Sequence, residues 1–105
     1  MTLKAQHLQL VIKKATQSPC NHRVSAIGFD KAGNLLGTSS NRKRFSRWHG
    51  GEHAEARLIR RYRSHLKTIV ICRINKSGNL LPIHPCEACK SLANKFGIQI
   101  KTLTF

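Results

Sequence analysis

The sequence predicts one α/β domain, residues 1–105, in which helices cover a mixed sheet. Three segments repeat apolar residues at helical spacing, and four shorter segments have the composition or the alternation of β-strands. Their order along the chain is α-β-β-α-β-α-β, which combines a hairpin with parallel crossovers between the last three strands. A chain of 105 residues has room for one such domain.

The first half of the chain predicts a helix and then a hairpin. Apolar residues recur every three or four positions over 3–16, with lysines on the other side, which is typical of an amphipathic helix. Residues 23–29 have strand composition, and residues 35–39 return as the partner strand. Between them Gly33 can take the positive φ of a tight turn. A loop rich in Arg, Lys and Gly follows over 41–52.

The second half alternates helices with strands. A helix is predicted over 53–66, with an apolar face of Leu, Ile and Tyr. Residues 68–74 are almost continuously apolar and β-branched, which suits a central strand covered on both faces. A third helix over 86–96 ends at Gly97, a favourable C-cap residue. Residues 98–105 alternate as the last strand, at the edge of the sheet, and we expect this edge to form a dimer or larger assembly.

The charge of the chain is strongly positive. It has 19 Lys and Arg against 4 Asp and Glu, a formal net charge of +15. Such self-repulsion is typical of proteins that bind a polyanion, although a charge run can also be a solvated face. Phe45 and Trp48 lie among the arginines of the 41–52 loop, and this mixture suits single-stranded nucleic acid. The predicted nucleic-acid contacts are Arg42, Lys43, Arg44, Arg47, Arg57, Arg60 and Arg61.

The sequence also predicts a cytoplasmic protein. It has no run of about 18 apolar residues that could cross a membrane. The first residues lack the continuous apolar core and the cleavage site of a secretory signal. In a reducing compartment, four cysteines are better interpreted as metal ligands or buried thiols than as disulfides. Cys72, in the middle of an apolar strand, is predicted to be a plain core thiol.

Two short motifs carry the chemistry, His53-Ala54-Glu55 and Pro85-Cys86-Glu87-Ala88-Cys89. Cys86 and Cys89 are three residues apart at a helix start, so their sulfurs lie on one face beside the positive end of the helix dipole. With His53 they make a set of three zinc ligands that leaves one position for water, as in catalytic zinc sites. Glu55 lies on the inward face and can reach that water without ligating the metal.

Other interpretations of the motifs stay open at this point. A closed structural zinc site would need a fourth ligand, which Cys20, His22 or His84 could supply. Glu55 has no role in such a site. Glu55 could instead be a capping or salt-bridged carboxylate, since many arginines could pair with it.

The two motifs resemble the H-x-E…P-C-x-x-C signature of the zinc-dependent cytidine and deoxycytidylate deaminase superfamily. The resemblance covers nearly the whole chain, because the predicted order of elements is also that of the family. It implies a cytidine deaminase-like three-layer α/β/α sandwich, here as a minimal APOBEC-like form that lacks the C-terminal strand and helices. Such a short form fits a compact genome such as that of a phage, in which case the protein would act in the host cytoplasm.

The resemblance also implies roles for single residues. His53, Cys86 and Cys89 would hold Zn²⁺, and Glu55 would carry protons as general acid and base. Asn41 would hold the ribose, and the backbone N–H of Ala54 the carbonyl oxygen of the base. Apart from the resemblance, Trp48 and His49 are candidates to stack on the substrate base. Trp48 could equally be an apolar lid on the sheet.

The predicted function is conversion of cytosine to uracil in single-stranded DNA or RNA. An alternative is a deaminase of free cytidine, deoxycytidine or their nucleotides, although such an enzyme needs few basic groups and leaves the net charge unexplained. Deamination of adenosine in tRNA is a third possibility, since it shares both motifs. From a different class, the chain could be a nucleic-acid-binding module with a structural zinc.

Overall fold

A mixed sheet lies between helices in the computed structural model, which describes residues 5–16, 23–41, 53–75, 77–85 and 87–103. The helices are α1 (Ala5–Thr16), α2 (Ala54–Tyr62) and α3 (Glu87–Lys95); the strands are β1 (Arg23–Phe29), β2 (Leu35–Ser40), β3 (Thr68–Ile74), β4 (Leu80–Leu81) and β5 (Gln99–Thr102). The predicted order of elements is confirmed, with β4 as an addition.

The apolar strand β3 is central, as predicted. β1 pairs with β2 on one side and β3 on the other, both antiparallel. The other side of β3 pairs antiparallel with β4 and parallel with β5. β2, β3 and β5 therefore run in the same direction. β5 lies at a sheet edge, as predicted, and the assembly of several copies through that edge stays a prediction.

The two faces of the sheet bury different sets of residues, because side chains alternate along a strand. The core between the sheet and α1 consists of Val11, Ala15, Ile27, Phe29, Val70, Cys72 and Ile74. The core between the sheet and the helices α2 and α3 consists of Val24, Ala26, Ala54, Leu58, Ile59, Leu66, Ile69, Ile71, Ala93 and Ile98. The fold is thus a three-layer α/β/α sandwich, as predicted. Within the described ranges, no helix is long and apolar enough to span a membrane.

Helix α2 is shorter than the predicted 53–66, and this prediction was wrong at its C-terminal end. The helix ends at Tyr62, and a 3₁₀ turn follows over Arg63–His65. This turn brings the fully buried Leu66 back onto the sheet, where the next residue, Lys67, donates its N–H to the Phe29 carbonyl. The burial of Leu66 outweighs the local helical pattern.

The remaining boundaries agree with the predictions to within one residue over the described residues. Gly33 has φ 86° in the turn between β1 and β2, and Gly97 has φ 68° after α3. β5 ends at Thr102, earlier than the predicted strand, whose last two residues lie outside the described ranges. The start of the first predicted helix and Cys86 also lie outside them.

The C-cap of α2 leads to a prediction about stability. Arg63 has φ 47° and ψ −120°, and it is the only non-glycine residue with positive φ in the described part of the chain. Such a conformation costs an ordinary residue about 1–3 kcal/mol. Arg63→Gly should therefore raise the free energy of unfolding by about 1 kcal/mol, after the larger entropy of an unfolded glycine is subtracted. Thermal or urea unfolding would measure the change.

Arg61→Gly is the matched control, because Arg61 is an exposed residue within the same helix. Glycine there should lower the free energy of unfolding by about 1 kcal/mol. If both variants destabilised the protein equally, Arg63 would not be strained.

Candidate active site

The N-terminal ends of α2 and α3 meet beside the start of β1 and the end of β2. His53 is the N-cap residue of α2; its backbone is extended (φ −76°, ψ 144°), and its side chain makes no capping hydrogen bond. Cys89, in the first turn of α3, is 3% exposed. The His53 Nδ1 atom lies 3.3 Å from the Cys89 Sγ atom. Two of the three predicted zinc ligands are therefore in contact.

The separation of these two atoms fits joint ligation of zinc. Zinc lies about 2.3 Å from a thiolate sulfur and roughly 2.0–2.1 Å from an imidazole nitrogen, so tetrahedral geometry separates two such ligands by about 3.5 Å. The observed 3.3 Å is close to that value. The third predicted ligand, Cys86, lies outside the described ranges, and the described residues alone hold no cluster of three metal-binding side chains.

Cys72 is separate from this site, as predicted. It is fully buried on the sheet face that packs against α1, whereas α3 with Cys89 packs on the other face. Burial raises the pKa of the Cys72 thiol, and a hydrogen bond with Ser25 offsets only part of that effect. A thiol with a raised pKa is a poor metal ligand, because the thiolate is the form that binds.

A cleft of about 190 Å³ opens beside the His53–Cys89 pair. This is smaller than the roughly 300–1,000 Å³ of pockets for drug-sized ligands, so it suits a small molecule or one nucleoside. The residues that line it are Val24, Asn41, His53, Ala54, Glu55, Ile83 and His84. It thus has apolar walls and a few polar groups, as small-ligand sites usually do.

Glu55 lines the cleft and is 4% exposed. It lies in the first turn of α2, where the helix dipole stabilises a negative charge. Within the described residues the Glu55 side chain forms neither an ion pair nor a hydrogen bond. The inward position predicted for Glu55 is confirmed, and neither the capping nor the salt-bridge interpretation is supported by the described contacts.

Asn41 is fixed at the end of β2 by two hydrogen bonds with Val24. The Asn41 N–H donates to the Val24 carbonyl (2.9 Å), and the Val24 N–H donates to Asn41 Oδ1 (3.0 Å). This pair closes the edge of the hairpin and holds the amide in the wall of the cleft. Contact between Asn41 and a ribose stays a prediction.

Two further hydrogen bonds tie the end of β2 to the first turns of α2. The Ser39 hydroxyl donates to the Ala54 carbonyl (2.5 Å), and the Arg57 guanidinium donates through Nη1 to the Ser40 carbonyl (2.6 Å). These bonds set the position of α2, and with it Glu55, relative to the sheet. Arg57 thus has a structural contact besides its predicted contact with nucleic acid.

Several predicted site residues lie outside the described ranges. Arg60 and Arg61 are exposed on α2, as a nucleic-acid contact requires. The residues outside these ranges are the remaining predicted substrate and nucleic-acid contacts and three candidate zinc ligands: Arg42, Lys43, Arg44, Arg47, Trp48, His49, Cys20, His22 and Cys86. Their roles stay predictions.

The sequence did not predict that Val24 and Ile83 form walls of the cleft, and it named His84 only as a possible fourth ligand of a structural zinc site. Ile83 and His84 follow β4, which has only two residues and therefore no detectable alternation. The position of His84 directly before the Pro85-Cys86 motif was the one signal that it could lie near the site. The structure places it in the wall of the cleft, where it is exposed.

The fold is that of cytidine deaminases. No protein-family model and no curated protein matches the sequence. Among solved structures, the cytidine deaminase of Mycobacterium leprae matches with a TM-score of 0.63 at 22% identity, over 90% of this chain and 82% of that one. The enzyme of Burkholderia pseudomallei matches with a TM-score of 0.60 at 18% identity, over 91% and 85%. That of Mycobacterium tuberculosis matches with 0.58 at 18%, over 92% and 84%.

The contact between His53 and Cys89 leads to a prediction about metal content. The purified protein should hold one zinc ion per chain, and Cys89→Ala should lose the metal and part of the stability, because metal binding is coupled to folding. Atomic absorption and thermal unfolding would measure both effects. Cys72→Ala is the matched control: it removes a buried thiol on the other face of the sheet and should keep zinc. Full zinc occupancy in Cys89→Ala would contradict the assignment.

The Arg57 hydrogen bond leads to a second prediction. Arg57→Ala should lower the free energy of unfolding by about 1.5–3 kcal/mol, the usual contribution of a hydrogen bond that involves a charged group. Arg61→Ala, an exposed arginine on the same helix, should change it by less than about 1 kcal/mol. Chemical denaturation of both variants would compare them. Equal effects would show that the bond to Ser40 contributes nothing.

Proposed function

We propose that this protein is a zinc-dependent hydrolytic deaminase that converts cytosine to uracil in single-stranded nucleic acid. The observation that carries the proposal is the position of Glu55: a buried carboxylate lines the same small cleft as His53, whose imidazole contacts Cys89. A structural zinc site has no use for such a carboxylate, whereas a hydrolytic site needs a proton carrier. The cytidine deaminase fold supports the same reaction.

The metal would be held by His53, Cys89 and Cys86. Zinc bound there would supply a water molecule that is nucleophilic at neutral pH. Its ligand set of one nitrogen and two sulfurs leaves a position for that water. The contact of 3.3 Å between His53 and Cys89 supports two of these assignments.

Glu55 would move the protons of the reaction. It would accept one proton from the attacking water as the new C–O bond forms at C4 of cytosine and deliver it to the ring nitrogen N3. It would then take the second proton from the new C4 hydroxyl and deliver it to the departing amine. The C–N bond then breaks, ammonia leaves and a carbonyl remains. Because Glu55 is nearly inaccessible to solvent, bulk water does not compete for these protons.

The neighbouring residues would hold the substrate. Asn41, fixed by its hydrogen bonds with Val24, would contact the ribose, and the Ala54 N–H would hold the carbonyl oxygen of the base. Val24 and Ile83 offer apolar surface to the ring. The cleft accepts one nucleoside, so a base within a strand would have to be turned out of its stack to enter it.

The net charge of +15 favours a polynucleotide over a free nucleotide. A single phosphate needs few cations, whereas each phosphate contact along a strand uses another Lys or Arg. The second candidate is deamination of free cytidine, which the three structural neighbours favour, since each is described as a cytidine deaminase. If the first candidate is correct, the protein would be a minimal APOBEC-like form of the fold.

The test is base conversion by the wild-type protein and by Glu55→Gln. Glu55→Gln should keep zinc and the fold and lose at least about 10²–10⁴-fold in rate, because the amide fills the site but carries no proton. Glu87→Gln, an exposed carboxylate on α3, is the control and should keep the activity. Single-stranded DNA, RNA, cytidine, dCMP and adenosine-containing tRNA should be compared as substrates.

The outcomes separate the candidates. Preference for a cytosine-bearing oligonucleotide supports the proposal. If cytidine or dCMP outcompetes the oligonucleotide at equal concentration, the second candidate replaces it. Activity of Glu55→Gln within about tenfold of the wild type would show that another group carries the protons.

A further inference from the structure

A second, larger cavity lies at the opposite end of the strands from the catalytic cleft. The cleft is beside Val24, near the start of β1, whereas this groove of about 590 Å³ begins at Asp30, directly after β1 ends. The turn 30–33 lines it together with Lys67, Thr68, Gln99 and Lys101. We call it the lysine groove. Its segments come from the hairpin turn, from the start of β3 and from β5.

The lysine groove has an excess of positive charge. Lys31, Lys67 and Lys101 line it, and none of the three forms an ion pair within the described residues. The acidic residue among its lining side chains, Asp30, is engaged by its own turn: Oδ1 accepts the Asn34 N–H at 2.8 Å, and Oδ2 accepts Asn34 Nδ2 at 3.4 Å. Asp30 forms no ion pair with these lysines among the described residues, so three positive charges and one negative charge line the groove.

Two of these lysines are half-buried rather than freely solvated. Lys67 and Lys101 both have intermediate exposure. In the parallel register Lys101 lies beside the buried Val70, on the same sheet face as α1. An anion in the groove would be attracted by lysines that reach it from separate segments of the chain.

The neutral groups of the groove fit a phosphate in particular. The Thr68 hydroxyl and the Gln99 amide are hydrogen-bond donors, and they lie on adjacent strands at paired positions. Hydroxyl, amide and ammonium donors are the groups by which proteins contact the phosphates of a nucleic-acid backbone. Among the described residues that line the groove there is no large apolar side chain on which a base would stack.

We propose that the lysine groove binds backbone phosphates of the same single strand whose cytosine enters the catalytic cleft. Val24 and Asp30, near the two ends of β1, are roughly 20 Å apart, because each residue of a strand rises about 3.3 Å. Lys101 lies on the α1 face of the sheet and the cleft on the face of α2 and α3, so the nucleic acid would also have to pass around the sheet. A phosphate in the groove therefore belongs to a nucleotide several positions from the reacting base. This proposal rests on the proposed function for its polynucleotide substrate, and it adds a binding site remote from the chemistry.

The test measures binding without turnover. A fluorescent single-stranded oligonucleotide of roughly 16 nucleotides, the upper end of common site sizes, is titrated at several salt concentrations. Each phosphate contact contributes about 0.7 to the slope of log affinity against log salt for single strands. The double variant Lys67→Gln and Lys101→Gln should therefore weaken the salt dependence, with a slope about 1.4 smaller in magnitude than that of the wild type.

A control of equal charge isolates the site. The double variant Lys13→Gln and Lys95→Gln removes two exposed lysines from α1 and α3, and its slope should stay close to that of the wild type. Lys31→Gln is a second groove variant at an exposed turn position, where no core packing is disturbed, and its slope should fall by about 0.7. If the slope became equally small in the groove variants and in the control variant, the proposal would be overturned. The lysines would then contribute only through the net charge of the protein and not through a defined binding site.

Inorganic phosphate is the second probe. If it binds the wild type but not the groove variants, while all variants bind the oligonucleotide with the wild-type slope, the groove takes free anions and the proposal is wrong. A slope difference in a protein that converts no cytosine would support the groove and would refute the proposed deaminase. The experiment therefore distinguishes a failure of the lysine-groove proposal from a failure of the proposed deaminase function.

Discussion

The contact between the His53 imidazole and the Cys89 sulfur is the interaction on which the candidate site depends. It joins two residues that are 36 positions apart in the chain, and it exists because α2 and α3 begin at the same end of the sheet. Both helices pack on one face, so both N-terminal ends and their partial positive charges converge on one small volume. The proposed metal ligation and the proposed proton transfer would thus share one physical origin, the placement of two helix starts.

The burial of Glu55 requires a rigid surrounding structure. A carboxylate that is 4% exposed, without an ion-pair partner among the described residues, loses hydration that the helix N-terminus only partly replaces. Such a group stays in place only if its backbone is held. The bonds from Ser39 to Ala54 and from Arg57 to Ser40 hold the first turns of α2 against β2. The polar residues at the end of β2 therefore hold the carboxylate in position, and a shift of this strand end would move Glu55.

The sequence predicted the elements whose signals are local. β1, β3 and Gly33 follow from composition and turn chemistry, and the site follows from two motifs at helix starts. The early end of α2 did not follow, because the burial of Leu66 overrides a pattern that continues as helix through 66. The Arg57 bond was missed because a polar residue in a basic stripe gives no sign that it turns back to the sheet. The lysine groove joins three distant segments, and only the tertiary structure brings them together.

Hydrolysis of cytosine at this cleft is the central claim, and the source of the oxygen in the product tests it most directly. Zinc-loaded protein is incubated with a cytosine-bearing single-stranded oligonucleotide in water enriched in ¹⁸O, and the product base and the released ammonium are measured. The account predicts that each cytosine lost appears as uracil with one solvent oxygen, together with one ammonium ion. Fully zinc-loaded protein that releases no ammonium from any cytosine substrate, or uracil without solvent oxygen, would contradict it.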